Sequence, residues 1–168
     1  MSYEAHNLAS RDLIARCGVL TLSDTRDQAT DSSGAYIKST LQKAGHFVGE
    51  YAVIKDDSDA IYRTLFDWLG RTDIDCVITT GGTGITRRDT TAQVVERMID
   101  TPLPGFGELF RMLSFQEIGA GAMLSRATAG VRRGKLIFAL PGSTRAVELA
   151  MSRLIVPELR HLLREVRR

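Results

Sequence analysis

The chain has 168 residues, 43% hydrophobic and 25% charged, with a formal net charge of +2. That length suits a single globular domain with a sizeable core, and so small a charge argues against a general nucleic-acid or membrane partner. The two cysteines, Cys17 and Cys76, have neither CxxC nor metal-ligand spacing, so they read as buried inert thiols in a reducing compartment.

Residues 1–14 form a polar lead-in, and 15–168 a single domain. The stretch from Met1 to Arg16 lacks the apolar core of a signal peptide. No apolar run approaches the roughly 20 residues of a membrane span, so a cytoplasmic location is expected. Basic residues cluster at Arg87-Arg88, at Arg132-Arg133 with Lys135, and from Arg160 to Arg168. The last cluster reads as a solvated helix end.

Cys17 to Ser23 is a nearly continuous apolar run, the pattern of a strand covered on both faces. A polar loop follows, and Asp31, Ser32 or Ser33 can cap a helix carrying Ile37, Leu41 and Ala44 on one face. Gly45 is placed to end that helix. Phe47 to Ile54 is a second strand. Ser58 is a candidate cap for a helix with Ile61, Leu65, Trp68 and Leu69. Asp75 to Thr80 is a third strand, followed at once by Gly81-Gly-Thr-Gly84. A helix from about Thr91 presents Val94, Val95 and Met98. Pro102 and Pro104 interrupt the chain before a helix from about Phe106 to Glu117, with Leu109, Phe110 and Leu113 inward. The Gly- and Ala-rich stretch 119–130 shows no clear element. Lys135 to Leu140 is a strand stopped by Pro141-Gly142. Ser143 or Thr144 can cap a final helix carrying Val147, Ala150, Met151, Leu154, Leu159 and Leu162. Pro157 should kink or break it. The alternation predicts an α/β fold, three-layer α/β/α with a mainly parallel central sheet.

Ligands of such sheets bind beyond the carboxyl ends of the strands. Four polar loops fall there: Ser23-Asp24-Thr25, Asp56-Asp57, Gly81 to Asp89, and Pro141-Gly-Ser-Thr144. Three glycines in four residues let the backbone approach a ligand, and their N–H groups can hold phosphate oxygens. Neither a P-loop nor a GxGxxG fingerprint is present. Arg87 and Arg88 suit phosphate. Asp56, Asp57 and Asp89 are turn or cap residues by type; beside a phosphate-binding loop, two such carboxylates can also hold Mg²⁺. Ser143 and Thr144 open a helix whose N-terminus is an anion site or is simply capped. His6, His46 and His161 have no companion that would make a base–nucleophile pair.

Val19-Leu-Thr-Leu-Ser-Asp-Thr25, Asp31-Ser-Ser-Gly34, Thr79-Thr-Gly-Gly-Thr-Gly84 with Arg88-Asp89-Thr-Thr91, and Pro141-Gly-Ser-Thr144 occur in this order. So do Pro104-Gly-Phe-Gly-Glu108 and Ser125-Arg-Ala127. Over roughly residues 15–160 this set resembles the MoaB/Mog family of molybdenum cofactor biosynthesis proteins. The resemblance implies a trimer, or a hexamer of two trimers, that binds molybdopterin. It implies transfer of AMP from Mg-ATP to the molybdopterin phosphate, with release of pyrophosphate. Asp56 and Asp89 match the family's two catalytic, Mg²⁺-holding aspartates, although Asp57 stands beside the first. Gly81, Gly82, Thr83, Gly84 and Arg88 would bind the nucleotide. Ser23, Asp24, Ser143 and Thr144 would face molybdopterin. Product handover to other molybdenum cofactor enzymes would follow.

The chain departs from the family at Ala92-Gln93, where Pro-Glu is common. Some MoaB-type members have lost the carboxylate or the Arg-Asp pair and do not adenylylate. Asp56 and Arg88-Asp89 are kept here, whereas the Pro-Gly-Ser ending leans toward that branch. A non-catalytic molybdopterin-binding or scaffold protein is therefore the alternative. A different α/β nucleotide enzyme is disfavoured by the missing P-loop, and a pure interaction module by the polar strand ends.

Overall fold

The fold was obtained as a computed structural model that describes residues 10–87 and 89–168. Its centre is four parallel strands: β1 (Arg16–Leu22), β2 (Phe47–Ile54), β3 (Cys76–Thr80) and β6 (Lys135–Leu140). Two antiparallel strands, β5 (Thr128–Arg132) and β4 (Thr101–Pro102), complete one sheet in the order β2-β1-β3-β6-β5-β4. The helices are α1 (Ser32–Lys43), α2 (Ser58–Gly70), α3 (Thr91–Met98), α4 (Pro104–Ile118), α5 (Thr144–Ala150) and α6 (Val156–Val166). The expected three-layer α/β/α architecture is the observed one.

Alternation along the strands divides the interior in two. Cys17, Val19, Cys76, Ile78, Leu136 and Phe138 meet α1, α4, α5 and α6 on one face. Leu20, Leu22, Val77, Ile137 and Ala139 meet α2 and α3 on the other. Both faces being covered, the strands need apolar residues at every position. Gly18 carries no side chain because the Trp68 ring lies over it; a Cβ there would sit 2.7 Å from the indole. Cys17 and Cys76 are register partners on adjacent strands, both buried, and burial pushes the Cys76 thiol up.

The helix starts follow local chemistry. Asp31 caps α1 through Gly34 N (2.9 Å). Its other oxygen accepts from Thr21 Oγ1 (2.6 Å) and Tyr51 Oη (2.8 Å), which fixes α1 against β1 and β2. Asp57, rather than Ser58, caps α2 through Ala60 N (2.8 Å).

Several expectations are corrected. The stretch 119–130 becomes a 3₁₀ turn (Gly119–Leu124) and the start of β5. β5 returns to β6 through Arg133 and Gly134, both with positive φ, as a two-residue hairpin requires. Pro102 lies in the short edge strand β4, where a missing N–H is tolerated. On α4 the buried residues are Phe106, Gly107, Phe110 and Ser114, so Leu109 falls off that stripe and is 47% exposed. Leu163 rather than Leu162 is fully buried on α6. Pro157 lies in the first turn of α6, just after a π turn at Met151–Ile155 that absorbs the expected break. Of the lead-in, residues 1–9, including His6, lie outside the described residues.

Asp75 anchors the edge of the domain opposite the strand carboxyl ends. It is 8% exposed. It accepts from Arg16 N (2.9 Å), Arg16 Nε (2.9 Å), Arg16 Nη2 (2.8 Å) and Arg167 Nη2 (2.8 Å). Burial alone would push its carboxyl up, but the bonds from Arg16 and Arg167 outweigh that and hold it well below the usual carboxylate range. The contribution is whole above about pH 4, the ordinary Asp value, and is lost as pH falls toward the folded value. Asp75→Asn should therefore destabilise the fold at pH 7 by about 1.5–3 kcal/mol, the lower end reflecting the half-exposed arginines. Urea unfolding of both proteins checks this, and the gap between them should narrow below pH 4. A gap independent of pH would remove the ion pair as its cause.

Candidate active site

β1 has β2 on one side and β3 on the other, and all three are parallel. The chain thus reverses its direction of travel across the sheet at β1, and a crevice opens at the carboxyl ends there. A cleft of about 660 Å³ lies at this place. It is lined by Leu22 to Arg26 after β1, Asp56 after β2, Gly81 to Gly84 and Asp89 after β3, Pro141 to Ser143 after β6, and Leu124-Ser125. The four expected loops converge.

Hydrogen bonds between the loops hold the rim. Ser23 N donates to Ile54 O (2.9 Å) and Gly81 N to Leu140 O (3.0 Å). Thr80 Oγ1 donates to Pro141 O (2.8 Å). Ser33 Oγ (3.1 Å) and Arg26 Nη1 (3.3 Å) both donate to Gly142 O. Ser23 Oγ closes its own loop, accepting from Thr25 N (3.3 Å) and Arg26 N (3.1 Å).

The glycine loop is arranged by its carbonyls. Gly82 O accepts from Ala92 N (3.4 Å), Thr83 O from Arg126 N (3.1 Å), and Gly84 O from Arg126 Nε (2.8 Å). The N–H groups of Gly82, Thr83 and Gly84 have no protein partner among the described residues. Gly81 and Gly82 have φ of 104° and 64°. Open N–H groups after two successive positive-φ glycines are an arrangement able to hold an anion.

The two aspartates flank the loop, and each commits one oxygen. Asp56 Oδ1 accepts from Thr90 Oγ1 (2.9 Å) and Thr90 N (3.4 Å). Asp89 Oδ2 accepts from Thr86 N (2.8 Å) and Thr86 Oγ1 (2.5 Å). Asp89 is thus a loop-closing residue rather than a cap of α3, whose N-cap Thr90 makes no side-chain cap bond. The remaining oxygens, Asp56 Oδ2 and Asp89 Oδ1, have no protein partner among the described residues. Burial pushes the Asp56 carboxyl up against the bonds from Thr90, and the charges of Asp89 and Asp24 push the same way. Thr91 Oγ1, buried beside Gly82 and Asp56, also lacks a partner.

Among the described lining residues, three carboxylates (Asp24, Asp56, Asp89) face one cation, Arg26. An anionic ligand needs a further positive charge here. The described residues contain no cluster of three or more metal-ligating side chains. Two carboxylates with one open oxygen each suit Mg²⁺, which is commonly held by one or two carboxylates plus phosphates and water.

The cleft receives Asp56; Asp57 is spent on capping α2. Ser23, Asp24, Ser143 and the glycine loop line it as the sequence led one to expect. Thr144 does not, its hydroxyl being engaged with Ser32 Oγ (2.9 Å) and Ser33 Oγ (3.3 Å). Arg88 lies outside the described residues. Sequence reasoning missed Arg26, Leu124 and Ser125; only the Ser125-Arg-Ala127 motif carried a signal for that side. The described histidines are elsewhere: His46 accepts from Ala15 N (3.1 Å), and His161 pairs with Glu158 (3.0 Å).

Residues 18–161 match the MoCF_biosynth family, described as a probable molybdopterin binding domain. The chain is 53% identical over 167 residues to molybdenum cofactor biosynthesis protein B of Halalkalibacterium halodurans, covering 99% of this chain and 98% of that one. It is 46% identical over 169 residues to the protein of the same name from Bacillus subtilis, covering 100% and 99%. The structure of the tungsten cofactor synthesizing protein MoaB from Pyrococcus furiosus superposes with a TM-score of 0.84 at 37% identity, covering 92% and 98%. The chain belongs to this family of molybdenum cofactor biosynthesis proteins with a molybdopterin-binding domain.

Proposed function

We propose that the protein adenylylates molybdopterin, using Mg-ATP and releasing pyrophosphate. The observation that carries this reading is the glycine loop, where the carbonyls of Gly82, Thr83 and Gly84 are tied back while the N–H groups of the same three residues have no partner among the described residues, between two half-committed carboxylates. The N–H groups of Gly82, Thr83 and Gly84 would hold phosphate oxygens of the nucleotide. Asp56 and Asp89 would hold Mg²⁺ through their open oxygens, and Arg88, next to Asp89 in sequence, would bind the nucleotide. Bound there, the ion would neutralise the triphosphate and stabilise the departing pyrophosphate. Ser23, Asp24 and Ser143, which line the same cleft, would face molybdopterin, with Thr144 next to Ser143 in sequence. Its phosphate is largely ionised near neutral pH and needs no strong base to attack the α-phosphorus. The new P–O bond forms as the bond to pyrophosphate breaks. A cleft with no histidine among its described lining residues is consistent with that chemistry.

Assembly into a homotrimer or homohexamer is part of this reading. Exposed apolar side chains on α4 and the 3₁₀ turn support it, among them Met112, Phe115, Ile118 and Met123. No helix among the described residues is long and apolar enough to cross a membrane. Work in the cytoplasm, with handover to later molybdenum cofactor enzymes, fits the proposal.

Single-turnover assay of the purified protein with molybdopterin, ATP and Mg²⁺ tests it. Adenylylated molybdopterin and pyrophosphate should appear in equal amounts, and EDTA should stop both. Molybdopterin binding with no product would instead establish a non-catalytic binding or scaffold protein.

A further inference from the structure

We infer that Arg126 is a positioning residue that sets the glycine loop and both aspartates in one geometry; this rests on the nucleotide-binding role proposed above. Arg126 stands between the 3₁₀ turn and β5, about 40 residues from the loop it holds. Its backbone N donates to Thr83 O (3.1 Å), Nε to Gly84 O (2.8 Å) and Nη2 to Asp89 O (2.6 Å). All three contacts fall on main-chain carbonyls of the candidate site.

Peptide planarity turns these contacts into orientation. In a trans peptide the C=O of one residue and the N–H of the next point in opposite directions, and no cis bond occurs among the described residues. Holding Thr83 O therefore turns the Gly84 N–H the other way, as an open donor of the loop. Holding Asp89 O turns the Thr90 N–H away from Arg126, and that N–H donates to Asp56 Oδ1 (3.4 Å). Arg126 thus reaches Asp56 through one peptide unit and the Asp89 main chain directly. The fixed fork of a guanidinium can hold the 84 and 89 carbonyls together; an ammonium has no such fork.

The fork is itself steadied from behind. Arg111 on α4 donates to Ala127 O (3.2 Å) and Ser125 O (3.5 Å), the residues on either side of Arg126. Gly107 leaves the room for this, since a Cβ there would lie 2.8 Å from both Ala127 O and the Arg111 guanidinium. Both arginines line a second cleft of about 430 Å³, none of whose lining residues belongs to the glycine loop. Arg126 does not line the first cleft, so it acts on ligand only through the loop.

The test is calorimetric titration of ATP into the full-length protein, with and without Mg²⁺, for wild type, Arg126→Ala and Arg126→Lys. Melting temperatures are measured alongside. Arg126→Ala should weaken Mg·ATP by about 10–100-fold, the usual cost of losing a group that orients metal-binding residues. Metal-free ATP should weaken less, and Arg126→Lys should fall between wild type and Arg126→Ala. Mg·ATP affinity unchanged in a folded Arg126→Ala overturns the inference and leaves the proposed function standing. So does a loss equal with and without Mg²⁺. Should Arg126→Ala not fold, Arg126→Lys decides: several-fold weaker Mg·ATP supports the positioning role and wild-type affinity ends it. Wild-type protein that binds no ATP would sink the proposed function and this inference together.

Discussion

Replacing Asp89 with alanine is expected to slow single-turnover adenylylation by about 10³-fold or more, the equivalent of several kcal/mol of metal-borne charge stabilisation. Molybdopterin affinity should change little, because the proposed reading assigns Asp89 to the metal and nucleotide and not to molybdopterin. Alanine also frees Thr86 N and Oγ1, which Asp89 Oδ2 holds. Asp89→Asn separates the two effects, since an amide oxygen can still accept from Thr86 while the charge is gone. Equal loss of turnover in both variants assigns the effect to the carboxylate. Normal turnover in Asp89→Asn would reduce Asp89 to a loop-closing group.

Asp56→Asn should lose turnover on the same scale, with the opposite sign on stability from Asp75→Asn. Burial, then the neighbouring Asp89 and Asp24, keep the Asp56 carboxyl above its ordinary value. A carboxyl so raised costs stability once pH rises past the ordinary Asp range. An asparagine avoids that cost and still accepts from Thr90. Melting at pH 7 should therefore hold or rise while activity disappears, the pattern of a group kept for function. A marked fall in melting temperature would make Asp56 a structural residue.

Gly81→Ala is the largest expected effect on stability. Its φ of 104° disfavours any side chain, and a Cβ would sit 2.3 Å from the Leu22 carbonyl oxygen. The residue cannot retreat without loosening its bond to Leu140 O. Backbone strain and forced displacement together should cost about 3–5 kcal/mol, a fall in melting temperature of roughly 10 °C for a domain of this size. Gly105→Ala is the control: nothing lies within 4 Å of a Cβ there, and the position is in the first turn of α4. That change should be neutral or slightly stabilising. A Gly81→Ala protein as stable as Gly105→Ala would mean that the loop relaxes freely.

The parallel centre of the sheet was legible because double coverage forces continuous apolar runs, as in Cys17 to Leu22 and Leu136 to Leu140. α2 was legible from Ile61, Leu65, Trp68 and Leu69 at helical spacing. β5 was not, because Gly and Ala between 119 and 130 carry neither period and its hairpin turn is Arg-Gly rather than Asn-Gly. The inward face of α4 was misjudged at Leu109, since two adjacent leucine-bearing stripes look alike until a neighbour covers one of them.

By itself the sequence determined the α/β order, the loops that end each parallel strand and the residue types that gather there. Those follow from periodicity and turn chemistry, which act over a few residues. Only the tertiary structure separated Asp56 from Asp57, sending one to the cleft and the other to the start of α2. It alone turned Thr144 toward Ser32 and Ser33, brought Arg26 and Ser125 to the rim, and placed Arg126 beneath the glycine loop. Each of these depends on contacts between segments distant in sequence, and no local pattern encodes where such segments meet.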